Sequence, residues 1–248
     1  MNAFLAYLSL QLKLDVRDRG TLLNFYLVPL LFFFVVGAVF ASVNPLTKTT
    51  LAASMSVFAV TMGAVMGFPP PLVKLRETGT MRAFAVNGIP GPAVLAVHAL
   101  SAFVHLLVVA TVIGVAAPLV YHASVPNNPS RYAVVLVVLL FASISIGLAI
   151  GVTARSQTFT AMFSMLVFLP SLLLSGVMFP TSMLPKILQW VGYIFPATYV
   201  LQSFYGWAYH APTHMNPGVS LLAATIIGMA LLTYALWKYG RNNKMELR

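Results

Sequence analysis

His98 and His105 stand seven residues apart in one apolar stretch, which puts both imidazoles on one face of a helix. Two histidines fall short of the three or four ligands that zinc takes. Polar packing between helices, lining of a hydrated cavity, and a substrate or proton role all remain open to them. His210 and His214 lie beside Pro212 and Pro217 and read as solvated loop histidines. The four acidic residues, Asp15, Asp18, Glu77 and Glu246, all fall outside the long apolar runs. A carboxylate proton relay at membrane depth is thereby excluded, and so is an intramembrane protease built on paired Asp. Cys is absent, which removes disulfides and thiolate metal sites. There is no Gly-x-x-x-x-Gly-Lys-Ser/Thr phosphate loop, no His-Glu-x-x-His and no Gly-x-Ser-x-Gly. No catalytic residue, no metal ligand set and no cofactor is assigned to this chain.

One charged island interrupts the apolar sequence, Lys74-Leu-Arg-Glu-Thr-Gly-Thr-Met-Arg82. Its Glu77 is the single acidic residue between Asp18 and Glu246. Pro69-Pro-Pro71 before it stops regular helix hydrogen bonding. Thr80 is suited to N-cap a short helix over 81–86, and Asn87-Gly88 to close it. Pro90 and Pro92 then restart the chain. A stiff, short helix presented in water reads as a docking surface.

The elements that hold these residues follow from composition. Of 248 residues, 60% are hydrophobic and 7% charged, against roughly 25% charged in soluble domains. The chain reads as an all-α integral membrane protein. Spans of about 20 apolar residues fit six stretches, 22–42, 50–70, 93–120, 132–153, 159–179 and 218–238. With the N-terminus inside, Lys13, Arg17, Arg19, Lys74, Arg76, Arg82, Arg155, Lys238, Arg241, Lys244 and Arg248 are cytoplasmic. Lys48, Arg131 and Lys186 are then outside. This positive-inside bias places both termini in the cytoplasm. The dispersed charge, +10 in total, matches topology signals and not a nucleic-acid stripe.

Ile187 to Ala208 is long enough for a seventh span, but a crossing there would turn the C-terminal basic cluster outward. Pro180, Pro185 and Pro196 break it, and its Trp and Tyr suit the interface. Residues 181–210 are therefore expected to form a re-entrant external helix pair between the fifth and sixth spans, with a break near Phe195-Pro196. Residues 3–19 are expected to form an interfacial helix, with Ser9, Lys13 and Arg17 on one stripe, ending at Gly20. The N-terminus lacks a basic n-region and a cleavage site. The whole of 1–248 reads as a single transmembrane domain, with 74–90 as a cytoplasmic segment.

Arg76-Glu-Thr-Gly-Thr80, a short helix and Pro90 resemble the cytoplasmic signature of the type-two (ABC-2 type) ABC transporter permeases. Leu174-Ser-Gly-Val-Met-Phe-Pro180, Met183-Leu-Pro185 and Phe195-Pro-Ala-Thr-Tyr199 are similar to that family's pattern between the fifth and sixth spans. The resemblance covers nearly the whole chain. Arg82 departs from it, since the family often carries an acidic residue shortly after Gly-Thr.

The resemblance implies the transmembrane subunit of an ATP-driven exporter in the plasma membrane, in a compact prokaryotic format. Two such chains, alike or different, would pair among lipids and bind two ABC ATPase subunits, which would carry ATP and Mg. Arg17, Arg19, Arg76, Glu77, Gly79, Thr80, Arg82 and Arg155 would then be ATPase-coupling residues, with Glu77 paired to Arg17 or Arg19. The second and fifth spans would line the substrate path, making Met55, Phe58, Met62, Phe163, Met165 and Phe168 its candidate residues. A Met and Phe wall suits a hydrophobic or amphiphilic cargo, such as a drug, antibiotic or lipid-like molecule. Export of a lipid-linked polysaccharide is the alternative within the family. A secondary transporter working without ATP is a second, disfavoured by the missing carboxylates and inverted repeat.

Overall fold

The computed structural model describes residues 3–43 and 45–246. Arg248, counted above among the cytoplasmic cations, lies outside the described residues. Among the described residues there is no strand, and six helices are long and apolar enough to cross a membrane. They run Arg19–Ser42, Leu51–Glu77, Gly91–Tyr121, Pro129–Thr153, Gln157–Leu174 and Pro217–Arg241.

Helix α1 (Ala3–Arg17) precedes the first span, which is built from α2 (Arg19–Leu22), a π-helical turn at Leu23–Leu27 and α3 (Val28–Val43). The break before the span lies at Asp18 and not at Gly20, which is helical. Asp18 caps α2, accepting from the Thr21 backbone N–H and hydroxyl, both at 2.8 Å.

The second span has three parts, α4 (Leu51–Met62), a π-helical turn at Gly63–Gly67 and α5 (Pro69–Glu77). The expected end at residue 70 is corrected. The three prolines occupy the first positions of a new helix, where a missing N–H is tolerated, and the span continues to Glu77. Helix α6 (Thr80–Val86) starts at Thr80 and not at Met81, because Gly79 takes the cap position with φ +72°. Asn87 ends α6 as expected, and Gly88 follows at φ +75°.

Three long helices follow as the third to fifth spans, α7 (Gly91–Tyr121), α8 (Pro129–Thr153) and α9 (Gln157–Leu174). Helix α9 stops at Leu174, short of the expected 179, because Ser175 leads into Gly176 at φ +92°. The segment between the fifth and sixth spans holds α10 (Lys186–Gly192) and α11 (Pro196–Ser203), separated at 193–195 where the proline implied a break. Helix α12 (Pro217–Glu246) forms the sixth span.

The second span is the centre of the fold. Of its most apolar window 89% is buried, against 22% for the first and fifth spans. Small residues allow this depth of packing, as is usual between membrane helices. A Cβ on Gly147 of α8 would overlap the Ala64 carbonyl oxygen, and one on Gly63 would overlap the Leu106 side chain of α7. Gly228 of α12 meets Phe141 of α8 in the same way, at 2.8 Å from an ideal Cβ. Helix α8 is thus wedged between the second and sixth spans.

Candidate functional site

The end of α5 sits against the junction of α8 and α9. An α-helix ends in carbonyls without intrahelical partners and begins with N–H groups without them. The two ends carry opposite partial charge. Helix α8 ends at Thr153 and α9 begins at Gln157, so both kinds of end lie within one short turn. Arg76 answers the first. Its guanidinium donates to the carbonyls of Val152 at 3.0 Å and Gly151 at 2.7 Å, and also to that of Ala154. Glu77 answers the second, its Oε1 accepting from the Gln157 backbone N–H at 3.2 Å. Ser156 caps the same helix by accepting from Phe159 N–H. The Gln157 side chain returns a bond to the Pro70 carbonyl at 3.0 Å.

This geometry corrects the expected pairing of Glu77 with Arg17 or Arg19. Among the described residues the single ion pair is His105 with Asp15. Arg17, Arg19, Arg82 and Arg155 are exposed, whereas Arg76 is half-buried. Gly79 and Thr80 form the joint into α6. No atom lies within 4 Å of where a Gly79 Cβ would stand, and the Thr78 and Thr80 hydroxyls meet across it at 2.8 Å. Helix α6 turns Phe84 toward Tyr7 of α1, ring centroids 5.6 Å apart. Val86, at its far end, is 87% exposed.

A second polar cluster ties α1 to the third span. Tyr7, Gln11 and Asp15 recur every four residues on α1. His98, Ser101 and His105 fall on one face of α7. Ser101 donates to Asp15 Oδ2 at 2.5 Å and Gln11 to Oδ1 at 2.8 Å. His105 Nε2 stands 3.6 Å from Oδ2, an ion-pair separation too long for a hydrogen bond. Tyr26 of the first span lies 2.6 Å from His105 Nδ1. Burial opposes ionisation of Asp15, but His105, Ser101 and Gln11 outweigh it and hold the carboxyl below its ordinary value. Hydrogen bonds from Thr21 hold Asp18 low as well. Burial, with Asp15 nearby, pushes the Tyr7 phenol up to about 12.

Sequence reasoning gave Asp15 no partner on α7, where the structure places Ser101 and His105. The signal was present in the matching rows of polar residues on α1 and α7. Of the roles open to the histidines, polar packing describes His105. His98 bonds the Val94 carbonyl of its own helix at 2.9 Å and borders a cavity of about 600 Å³. Asp15, Asp18, Asn24, Lys74, Thr80 and Gln157 also line this cavity, which lies between α1 and the ends of the first two spans.

The six candidate path residues do not share one surface. Met55, Phe58 and Phe168 are buried, and Phe58 and Phe168 meet with ring centroids 5.9 Å apart. Met62 is half-buried. Phe163 and Met165 lie on the exposed face of α9, with Phe159, Met162, Leu166 and Leu169. Its inner face carries Thr160, Ser164, Phe168 and Ser171, all buried.

Comparison with known proteins gives two findings. A family model described as ABC-2 type transporter matches residues 2–209. Over 127 residues, 51% of this chain, the sequence is 28% identical to ABC transporter G family member 20 of Dictyostelium discoideum. The match spans 17% of that relative's length.

Proposed function

The chain belongs to the ABC-2 type transporter family, and on that premise we propose that it is the membrane-spanning subunit of an ATP-driven exporter. Two such subunits pair, and two ABC ATPase subunits bind them from the cytoplasm, bringing ATP and Mg. Both termini are cytoplasmic, and the complex works in a plasma membrane. The reading rests on α6. A solvated loop has no need of a short helix that leaves Val86 bare to solvent beside the exposed Arg82. Such a helix, braced on α1 through Phe84 and Tyr7, suits a groove on a partner protein. Arg17, Arg19 and Arg155 are exposed too, and positive charge on a docking face favours an acidic partner surface.

The cargo is hydrophobic or amphiphilic and leaves from the cytoplasm or the inner leaflet. The exposed face of α9, made of Phe, Met and Leu, supports this chemistry, since thioethers and rings adapt to apolar ligands of varied shape. The test is co-purification of the full-length chain with an ABC ATPase, followed by ATP hydrolysis in nanodiscs. Stimulation by an amphiphile such as ethidium supports the proposal. Movement of ethidium into liposomes by the chain with no ATPase present overturns it.

A further inference from the structure

We infer that Arg76 and Glu77 act as positioning residues that clamp the end of the second span to the α8–α9 junction, and are not themselves ATPase contacts. The inference rests on the permease reading above for its meaning in transport, but its geometry stands alone. Two neighbouring residues of opposite charge meet two neighbouring helix ends of opposite dipole. The Arg fork spreads over the carbonyls of Gly151 and Val152 in the last turn of α8 and of Ala154 just past it. The Glu carboxylate takes the first N–H of α9. Reversing the order of the pair would set each charge against a like dipole end.

The clamp has a second hold further up α5. Gln157 reaches the Pro70 carbonyl, and Gly151 lets Leu72 approach α8, an ideal Cβ there lying 2.9 Å from Leu72 Cδ1. Helix α5 is therefore held at both ends against the fourth and fifth spans. A displacement of α6 passes through Gly79 into α5, and from α5 directly into the start of α9. Without the clamp, α6 would move α5 while α9 stayed behind.

Absence of Cys from the sequence allows spin labels at Lys74→Cys on α5 and Met165→Cys on α9. Pulsed electron paramagnetic resonance then reads their separation in the full chain in nanodiscs, alone and with its ATPase under ATP and vanadate. The clamp keeps one narrow distance in both states. Arg76→Ala and Glu77→Ala lose it, while Glu77→Gln, which retains an acceptor oxygen, preserves it. The ATPase still co-purifies with both alanine variants. Unchanged distances in both, or loss of the ATPase with distances intact, overturns the inference. Glu77 is exposed, so Glu77→Ala keeps the test open if Arg76→Ala does not fold. A parent chain that binds no ATPase refutes the permease reading, and the distances of the chain alone still judge the clamp.

Discussion

Tyr26 and His105 join the first span to the third through a 2.6 Å contact between the phenol oxygen and Nδ1. With the imidazole proton on Nε2, which faces Asp15 across 3.6 Å, Tyr26 donates to Nδ1. His105 is 3% exposed, so the loss of either neighbour leaves a polar atom in a dry place.

Tyr26→Phe should cost about 1–3 kcal/mol, the range for stranding a buried hydrogen-bonding group. His105→Leu should cost a similar amount, and the double variant less than the sum, since one contact is lost twice. Thermal unfolding of the detergent-purified chain gives the cycle. Strict additivity would show that the two side chains do not interact.

Acid should loosen α1. The Asp15 and Asp18 carboxyls sit below their ordinary 3.8 in the folded chain. The stability this confers is complete above pH 3.8 and is lost as pH falls through the lower folded values. The melting temperature should therefore drop at the acid end, and Asp15→Asn with Asp18→Asn should flatten that limb while lowering stability near neutrality. An acid limb identical in the variant would refute the assignment.

Tyr7 gives the opposite limb. Its phenol is raised from 10.0 to about 12, so its contribution is full below pH 10.0 and fades as pH rises toward the folded value. The buried hydroxyl makes no hydrogen bond. Tyr7→Phe should therefore leave neutral-pH stability unchanged or higher and shrink the alkaline loss. A clear drop in melting temperature at neutral pH would contradict this.

Gly147→Ala should destabilise the bundle by about 1–3 kcal/mol through overpacking against the Ala64 carbonyl. Gly240→Ala is the control, with nothing within 4 Å of its added Cβ. Equal melting temperatures for the two variants would mean that the π-helical turn at Gly63–Gly67 and α8 do not pack as described.

The six spans were legible because each is one unbroken apolar run that only a membrane can hold. The helix break between the fifth and sixth spans was legible because Phe195-Pro196 forbids continuation. The end of the second span was misread, since proline signals a stop and a start equally well and only the packing of Leu72 and Val73 decides between them. Arg76 and Glu77 stood out by type, yet their partners are carbonyls and an N–H that no side-chain pattern encodes. Asp15 and Ser101 are far apart in the chain, so the two polar rows were visible one by one and only the fold brings them into contact. Phe58 and Met55 looked like wall residues because the sequence carries no sign of which face of a wholly apolar helix is inward.

The π-helical turns at Leu23–Leu27 and Gly63–Gly67 lie side by side, with Asn24 Cβ 3.2 Å from where a Gly67 Cβ would stand. The three prolines that follow Phe68 take away the N–H groups that Val65, Met66 and Gly67 would otherwise receive. A rod already missing those bonds has none to break on bending. The first two spans thus share a crease at one level, and the parts of the bundle on either side of it can tilt while their own hydrogen-bond ladders stay whole.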